Sequence, residues 1–401
     1  MDSIMGRHSA GYYKLLPLLT DLLSLIFKLY VIPGNFYNTP AKTDLRLNSY
    51  TNKTPFEMNA PANNRIKLLF LVDSEKKNIL WLTKYFENEN YYSSGLGMNS
   101  LLKDRTVSWR RAILYLKYMK LAIQAIQKSN KSDIIISWNF IVGAFTAFFC
   151  RTFFIRRTIL SLNMISHEKG LINKLLRKII YNSAFKLPGF YISVNSKELI
   201  NTYSAEYNIN ANHFFVLPDC MKESYETAPY TNGNGSVFCG GEAKRDWNTL
   251  FKAALLLPDV KFTAIARKKY FDTTLAVPDN VSLYFDTEYD FFYSKLKESS
   301  IVAMPLSTTA PAGLIVLIRA AMLSKPVIIT STSSTRNYIQ DKINGVLIDP
   351  GDEKRLAEEI SSLLSDRQVR EQLSNRMKET VKMFSPENYA KSLENIISQI
   401  K

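Results

Sequence analysis

Residues 301–330 read IVAMPLSTTAPAGLIVLIRAAMLSKPVIIT, and their hydrophobic pattern changes period twice. The run 301–304 is short and unbroken, 314–323 is apolar at helical spacing around one polar residue, Arg319, and 327–330 is again short and rich in β-branched residues. Apolar runs on either side of a helix are what two buried parallel strands with a crossover require, because both faces of such a sheet are covered. The alternation continues in both directions. Upstream lie a strand at 237–239, a helix at 247–257 with Asp246 placed as its N-cap, a strand at 261–266 and a helix at 289–297. Downstream, Asn344-Gly345 marks a turn before a strand at 346–348 and a helix at 353–364.

The amino-terminal half has the same texture. Strands are expected at 67–72, 133–137, 158–162 and 190–194, with helices at 111–127, 140–149, 171–185 and 198–207 between them. Two doubly wound α/β domains joined near 216–235 account for the pattern, and Asn232-Gly233-Asn234-Gly235 reads as a flexible connection. In such sheets ligands bind outside the carboxyl ends of the strands, so the loops that follow strands should carry the chemistry.

A chain of 401 residues, 46% apolar and 22% charged, is a folded globular protein of two or three domains at roughly 150 residues each. Cys150, Cys220 and Cys239 are far apart and only three histidines are present, which excludes a disulfide framework or a Cys/His zinc site and suits a reducing compartment. The net charge of +15 is lopsided: residues 1–215 hold 28 Lys and Arg against 13 Asp and Glu, whereas residues 216–401 hold 23 of each. The first half should therefore face something anionic.

Residues 14–32, KLLPLLTDLLSLIFKLYVI, place Lys14, Pro17, Asp21, Ser24 and Lys28 along one stripe of a helix. Such an amphipathic helix can lie in a membrane interface or pack on a domain. A span is the third alternative, in which Asp21 and Lys28 would cost several kcal/mol. Residues 35–64 carry Asn, Thr and Pro without period and read as an irregular connection.

Familiar phosphate and nucleophile motifs are absent. There is no P-loop and no Gly-x-Ser-x-Gly elbow, and Gly95 and Gly97 in SGLGMNS lack the third glycine of a dinucleotide fingerprint. No Asp-x-Asp pair offers itself to a metal. A phosphate would have to be held by cations and backbone. Two stretches supply both. Gly240-Gly241-Glu242-Ala243-Lys244-Arg245-Asp246 follows a strand and joins close backbone approach to a guanidinium fork. Pro311-Ala312-Gly313-Leu314 leads from a strand straight into a helix, whose free N–H groups suit an anion. Each, alone, is equally an ordinary turn or helix start.

Taken in order with AMLSKPVIIT (321–330), Thr335-Arg336-Asn337-Tyr338, INGVLIDPGD (343–352) and FSPENYAKSLENII (384–397), they resemble the nucleotide-sugar domain of GT-B glycosyltransferases, particularly glycosyltransferase family 4. The resemblance covers about 236–400 well and the first half loosely. It implies a GT-B fold of two Rossmann-like domains facing a cleft. The chain then divides into an amino-terminal amphipathic segment and linker (1–64), an acceptor domain (65–220), a nucleotide-sugar domain (221–385) and a terminal helix crossing back (386–401). It implies a donor diphosphate held by Gly240, Gly241, Lys244, Arg245, Gly313 and Leu314, with Arg336 and Asn337 on the donor side and the base near Arg267. No metal or cofactor is implied beyond the nucleoside-diphosphate sugar itself. In SLNMISHEKG (161–170), His167 matches an acceptor-side catalytic histidine, and it reads equally as a surface residue beside Glu168 and Lys169. The chain departs from the family at its Glu-x7-Glu signature: Pro311 and Arg319 stand where glutamates are expected, and an arginine cannot accept the ribose hydrogen bonds of the second one.

The function so implied is transfer of a sugar to a lipid-linked or polysaccharide hydroxyl, with retention, in capsule-type polysaccharide synthesis at the cytoplasmic face of the cell membrane. The rivals are a GT-B scaffold that has lost catalysis and a nucleic-acid-binding protein. The latter lacks any recognition motif. An anionic membrane surface suits Arg110, Arg111, Lys117, Lys120 and Lys128, and also the run GAFTAFFCRTFFIRR (143–157), whose phenylalanines could instead be buried in a helix.

Overall fold

A computed structural model of the chain describes residues 65–98, 108–165, 179–220, 227–241, 244–309 and 311–401. The expected helix at 14–32, the connection at 35–64 and His167 lie outside the described residues. Residues 62–401 form one compact unit. Its first sheet runs β1 (Ile66–Val72), β2 (Tyr91–Gly97), β3 (Ile134–Ser137), β4 (Thr158–Ser161), β5 (Phe190–Val194) and β6 (Phe214–Val216), ordered β2-β1-β3-β4-β5-β6. The second runs β7 (Val237–Gly241), β8 (Phe262–Ala266), β9 (Val281–Phe285), β10 (Ile301–Met304), β11 (Val327–Thr330) and β12 (Val346–Ile348), ordered β12-β11-β10-β7-β8-β9. Every neighbouring pair is parallel.

Between the strands lie α1 (Ser108–Gln127), α2 (Phe140–Thr152), α3 (Lys197–Tyr207), α4 (Trp247–Leu255), α5 (Tyr289–Glu298) and α6 (Leu314–Met322), and after the last strand α7 (Glu353–Ser365), α8 (Arg367–Lys382) and α9 (Pro386–Gln399). Short polar side chains start several of them as the sequence leads one to expect. Asp246 accepts from Thr249 N at 3.0 Å, Ser196 from Leu199 N at 3.2 Å, and Ser385 caps α9 with Pro386 in its first turn. In α2, Phe145, Phe148 and Phe149 are at most 8% exposed. The phenylalanine run is thus mainly core, since a helix laid on a sheet must turn its apolar face inward. Helix α9 returns to the first sheet. Tyr389, Leu393, Ile396 and Ile397 join the cluster of Leu68, Phe70 and Leu82, and Tyr85 donates to Glu387 at 2.6 Å.

The connection before β7 is pinned rather than flexible. Arg370 reaches Asn232 Oδ1 through Nη2 and donates to the Leu364 carbonyl at 2.7 Å, while Ser300 Oγ donates to the Asn232 carbonyl at 2.6 Å. Buried Lys325 ties the same segment down, with Nζ 2.9 Å from Thr231 Oγ1 and 2.7 Å from the Ser299 carbonyl. Burial lowers its pKa to about 8.

In the second sheet the strand order reverses between β7 and β10. A reversal opens a crevice at the carboxyl ends of those two strands, because their crossover helices leave to opposite faces. Both motif-bearing loops emerge there.

Candidate functional site

The loop after β7 and the loop after β10 are zipped together. Ser307 N donates to the Lys244 carbonyl at 3.1 Å and Asp246 N to the Pro305 carbonyl at 2.9 Å, with Arg245 and Leu306 bridged in antiparallel fashion between them. Arg245 is thereby held at the crevice, 7% exposed. Its Nε donates to the Gly240 carbonyl at 2.8 Å and its Nη2 approaches Met304 Sδ at 3.9 Å. Burial lowers its pKa, yet a guanidinium keeps its charge. No carboxylate pairs with it among the described residues. A buried cation without a counter-ion is costly unless a ligand provides the anion.

Two glycines make room for that guanidinium. Gly241 has φ +145° and Gly313 φ +79°, both open mainly to glycine. A Cβ on Gly241 would lie 2.5 Å from Arg245 Nη2, and one on Gly313 3.4 Å from Nη1. Gly313 is also the N-cap of α6, and with no side chain to offer it leaves the first-turn N–H groups uncapped. Lys244 adjoins the pair with φ +63°, a conformation that costs a lysine about 1–2 kcal/mol.

These groups line a cavity of about 870 Å³. Lys244, Arg245, Arg267 and Arg319 enter it from the second lobe, and Ile165 and Asp219 from the first. Arg267 pairs with Asp286 at 3.8 Å. Arg319 lies with its guanidinium 4.8 Å over the Tyr289 ring, and its Nε is buried without a partner. Asp219 is not legible as a site residue: it follows the short edge strand β6, which does not read as a strand. Burial pushes its carboxyl up to about 6, against the opposing pull of a hydrogen bond from Asn195.

The expected residues thus divide. Gly241, Lys244, Arg245, Arg267, Gly313, Leu314 and Arg319 line one cavity. Gly240 sits behind them inside β7, where a Cβ would meet the Phe238 and Phe292 rings at 2.6 Å, so its role is packing plus the carbonyl for Arg245. The turn at Gly313 is separated from Met304, the end of β10, by an intervening loop, so the strand does not lead straight into the helix. Arg336 and Asn337 turn away from the cavity and join the lobes. Arg336 Nη2 meets Glu198 at 2.6 Å, Asn337 Nδ2 donates to the Asn195 carbonyl at 2.7 Å, and Ser334 Oγ donates to Asn195 Oδ1 at 3.1 Å. A buried turn enforces this direction: Thr335 Oγ1 donates to the Thr330 carbonyl at 2.7 Å and accepts from Thr332 N at 2.8 Å. Among the described residues no three His, Cys, Asp or Glu side chains converge as a metal site, and no helix is long and apolar enough to cross a membrane.

Two Rossmann-like lobes, each a six-stranded parallel sheet, with a cavity lined from both, are the GT-B glycosyltransferase fold. Residues 265–380 match the family described as glycosyl transferases group 1. Among solved structures, the chain is similar to Anabaena Alr3699/HepE in complex with UDP, at 15% identity over 83% of this chain and 100% of that one, with a TM-score of 0.61. It is similar too to sucrose-phosphate synthase from Thermosynechococcus elongatus, at 14% identity over 84% and 99% with a TM-score of 0.63. A third is the lipopolysaccharide outer core galactosyltransferase WaaB, at 14% over 83% and 99% with a TM-score of 0.57. No curated protein matches the chain in sequence.

Proposed function

We propose that this protein transfers a sugar from a nucleoside diphosphate to a hydroxyl of a lipid-linked or polysaccharide acceptor. By the family resemblance this proceeds with retention of configuration, in capsule-type polysaccharide assembly at the cytoplasmic face of the cell membrane. The observation that carries the reading is the buried Arg245 guanidinium, without a carboxylate partner among the described residues, set between two left-handed glycines at an uncapped helix start. HepE was crystallised with UDP and with UDP-glucose, which supports a nucleotide-sugar donor of that kind.

In the reaction the bond from sugar carbon one to the diphosphate oxygen breaks, the acceptor oxygen bonds to that carbon, and the acceptor hydroxyl gives up its proton to a base, the role proposed for His167. The leaving diphosphate gains negative charge as this happens. Arg245, Lys244 and the first N–H groups of α6 are fixed where that charge develops, and preorganised donors stabilise it more in the transition state than in the ground state. We assign these cations, rather than a metal, to the leaving group, and His167 to the acceptor side. Because the cavity draws on both lobes, closing them over the donor would exclude water that otherwise hydrolyses it.

A second reading has its own support. Pro311 and Arg319, where the family resemblance places glutamates, both line the cavity, so a scaffold that binds a donor without turning it over is the alternative. The deciding experiment is calorimetry with UDP, GDP and their common sugars, followed by transfer to a polyprenyl-diphosphate-linked sugar. Binding with turnover establishes the enzyme, and binding without it establishes the scaffold. No heat with any nucleotide removes both.

A further inference from the structure

Among the described residues three carboxylates line the cavity, and two are engaged. Asp219 takes its hydrogen bond from Asn195, and Asp286 faces Arg267 at 3.8 Å. The third, Glu288, is exposed and precedes α5 without capping it, and its side chain has no hydrogen-bond or ion-pair partner among the described residues. Arg319 lines the same cavity and has no ion pair either, its guanidinium being laid across the Tyr289 ring at 4.8 Å. Next to Glu288, Thr287 Oγ1 is buried without a partner, as Arg319 Nε is.

An anion and a cation in one cavity that do not pair with each other call for a ligand that uses both. A phosphate meets Arg319 well, but the Glu288 carboxylate repels it. A hydroxyl suits both, since its proton goes to the carboxylate while its oxygen accepts from the guanidinium. Two adjacent hydroxyls can share the two carboxylate oxygens. Position narrows the ligand further. Thr287 and Glu288 follow β9, which in the order β10-β7-β8-β9 lies two strands beyond the Arg245 loop, about 10 Å along the sheet at roughly 4.8 Å per strand. That displacement runs outward along the second lobe past β8 and the loop at Arg267, near which the family resemblance places the base of the donor.

We infer that Glu288, with Arg319 and Thr287 beside it, recognises the cis-diol of the donor ribose, from a loop that precedes α5 rather than from α6. The inference rests on the nucleotide-sugar reading of the cavity. It makes Glu288 a specificity-determining residue that distinguishes ribonucleotides from nucleotides lacking the diol.

The test is calorimetry on the full chain with UDP, GDP and their 2′,3′-dideoxy analogues, for wild type, Glu288→Ala and Glu288→Gln. Hydrogen bonds to a charged group of this kind correspond to about a ten- to hundredfold preference for the diol in wild type. Both variants should reduce that preference below about threefold while binding the dideoxy analogues as wild type does. Since Glu288 is exposed and caps nothing, their melting temperatures should match wild type. If Glu288→Ala keeps the full preference, or wild type shows none, the inference fails although the donor site stands. If wild type binds no nucleoside diphosphate at all, the donor reading fails first and takes this one with it.

Discussion

Replacing Arg245 by methionine separates a ligand cation from a structural one. Methionine keeps most of the buried volume and removes the charge. Two effects on folding then oppose each other. The substitution removes the Nε hydrogen bond and leaves the Gly240 carbonyl without its donor, which costs about 1–3 kcal/mol. It also removes a guanidinium that is 7% exposed and has no counter-ion among the described residues, whose desolvation penalty is of the order of several kcal/mol. These nearly cancel, so the melting temperature of Arg245→Met should stay within a few degrees of wild type or rise. Ligand binding has no such compensation. One charged hydrogen-bonding partner lost from a diphosphate corresponds to about 1.5–3 kcal/mol, or roughly ten- to 150-fold in the UDP dissociation constant. Turnover should fall further, by about 100- to 1000-fold, because the diphosphate is more negative in the transition state. Thermal melts with and without UDP, calorimetry and a transfer assay read all three. A variant that melts well below wild type yet binds UDP equally well would make Arg245 a structural clamp on Gly240 and refute the reasoning.

Gly241→Ala should weaken UDP binding at least tenfold, because its Cβ lands 2.5 Å from Arg245 Nη2 at φ +145° and must displace the guanidinium; calorimetry checks it. Arg336→Ala removes a half-exposed ion pair between the lobes, so chemical denaturation should show a loss below about 1 kcal/mol and UDP affinity should change less than twofold. Asp219 has a folded-state pKa raised from 3.8 to about 6, so it favours folding most below pH 4 and that contribution disappears as pH rises through 6. Asp219→Asn should therefore gain stability relative to wild type between pH 4.5 and 7.5, by at most about 3 kcal/mol, in melts across that range.

The strands that were legible are those with both faces covered. β3, β10 and β11 are buried at every residue and read as unbroken apolar runs. The strands that are not legible lie at sheet edges: β2 reads YYSSGLG and β9 reads VSLYF, each with only its first residue fully buried. An edge strand needs only part of its surface apolar, so its sequence resembles a loop. Helix α8 was missed for a related reason, since RQVREQLSNRMKETVK buries only a narrow stripe around Leu373, Met377 and Val381. The consequence for the site is direct. Arg245 and Gly313 were visible because they follow readable strands, whereas Thr287, Glu288 and Asp219 follow strands that were not. Arg336 and Asn337 bond Glu198 and Asn195 of the first lobe, a direction the sequence does not show, because spacing shows that a loop follows a strand but not which way its side chains turn.

Among the described residues, part of the charge excess of the first half lies away from the cleft. At the carboxyl ends of the first sheet stand Asp73, Asn139, Asn195 and Asp219, with Asn139 Nδ2 donating to Asp73 at 2.8 Å. One group of exposed cations stands at the opposite edge, in the segments that lead into strands, Lys128 and Lys131 before β3, Arg151 and Arg156 before β4, and Lys186 before β5, whereas Lys76, Lys77 and Lys197 follow strands at the cleft end. Arg157 is not among them, since its guanidinium turns inward to Ser129. Amid these cations Phe154 is 93% exposed and held at φ +56°, in the one part of the phenylalanine run that does not enter the core. An exposed aromatic ring in a segment with two exposed arginines suits an anionic lipid surface, at about 1 kcal/mol per cation. On our membrane proposal, Arg151→Gln with Arg156→Gln should then lower partitioning onto phosphatidylserine vesicles by about 2 kcal/mol, near thirtyfold, and Phe154→Ser should lower it again, with UDP affinity unchanged throughout. Docked by this edge, the protein turns its cleft away from the bilayer, and an acceptor must be a glycan long enough to reach it. If vesicle binding survives all three changes but not removal of residues 1–34, the amphipathic segment is the anchor and that demand on the acceptor disappears.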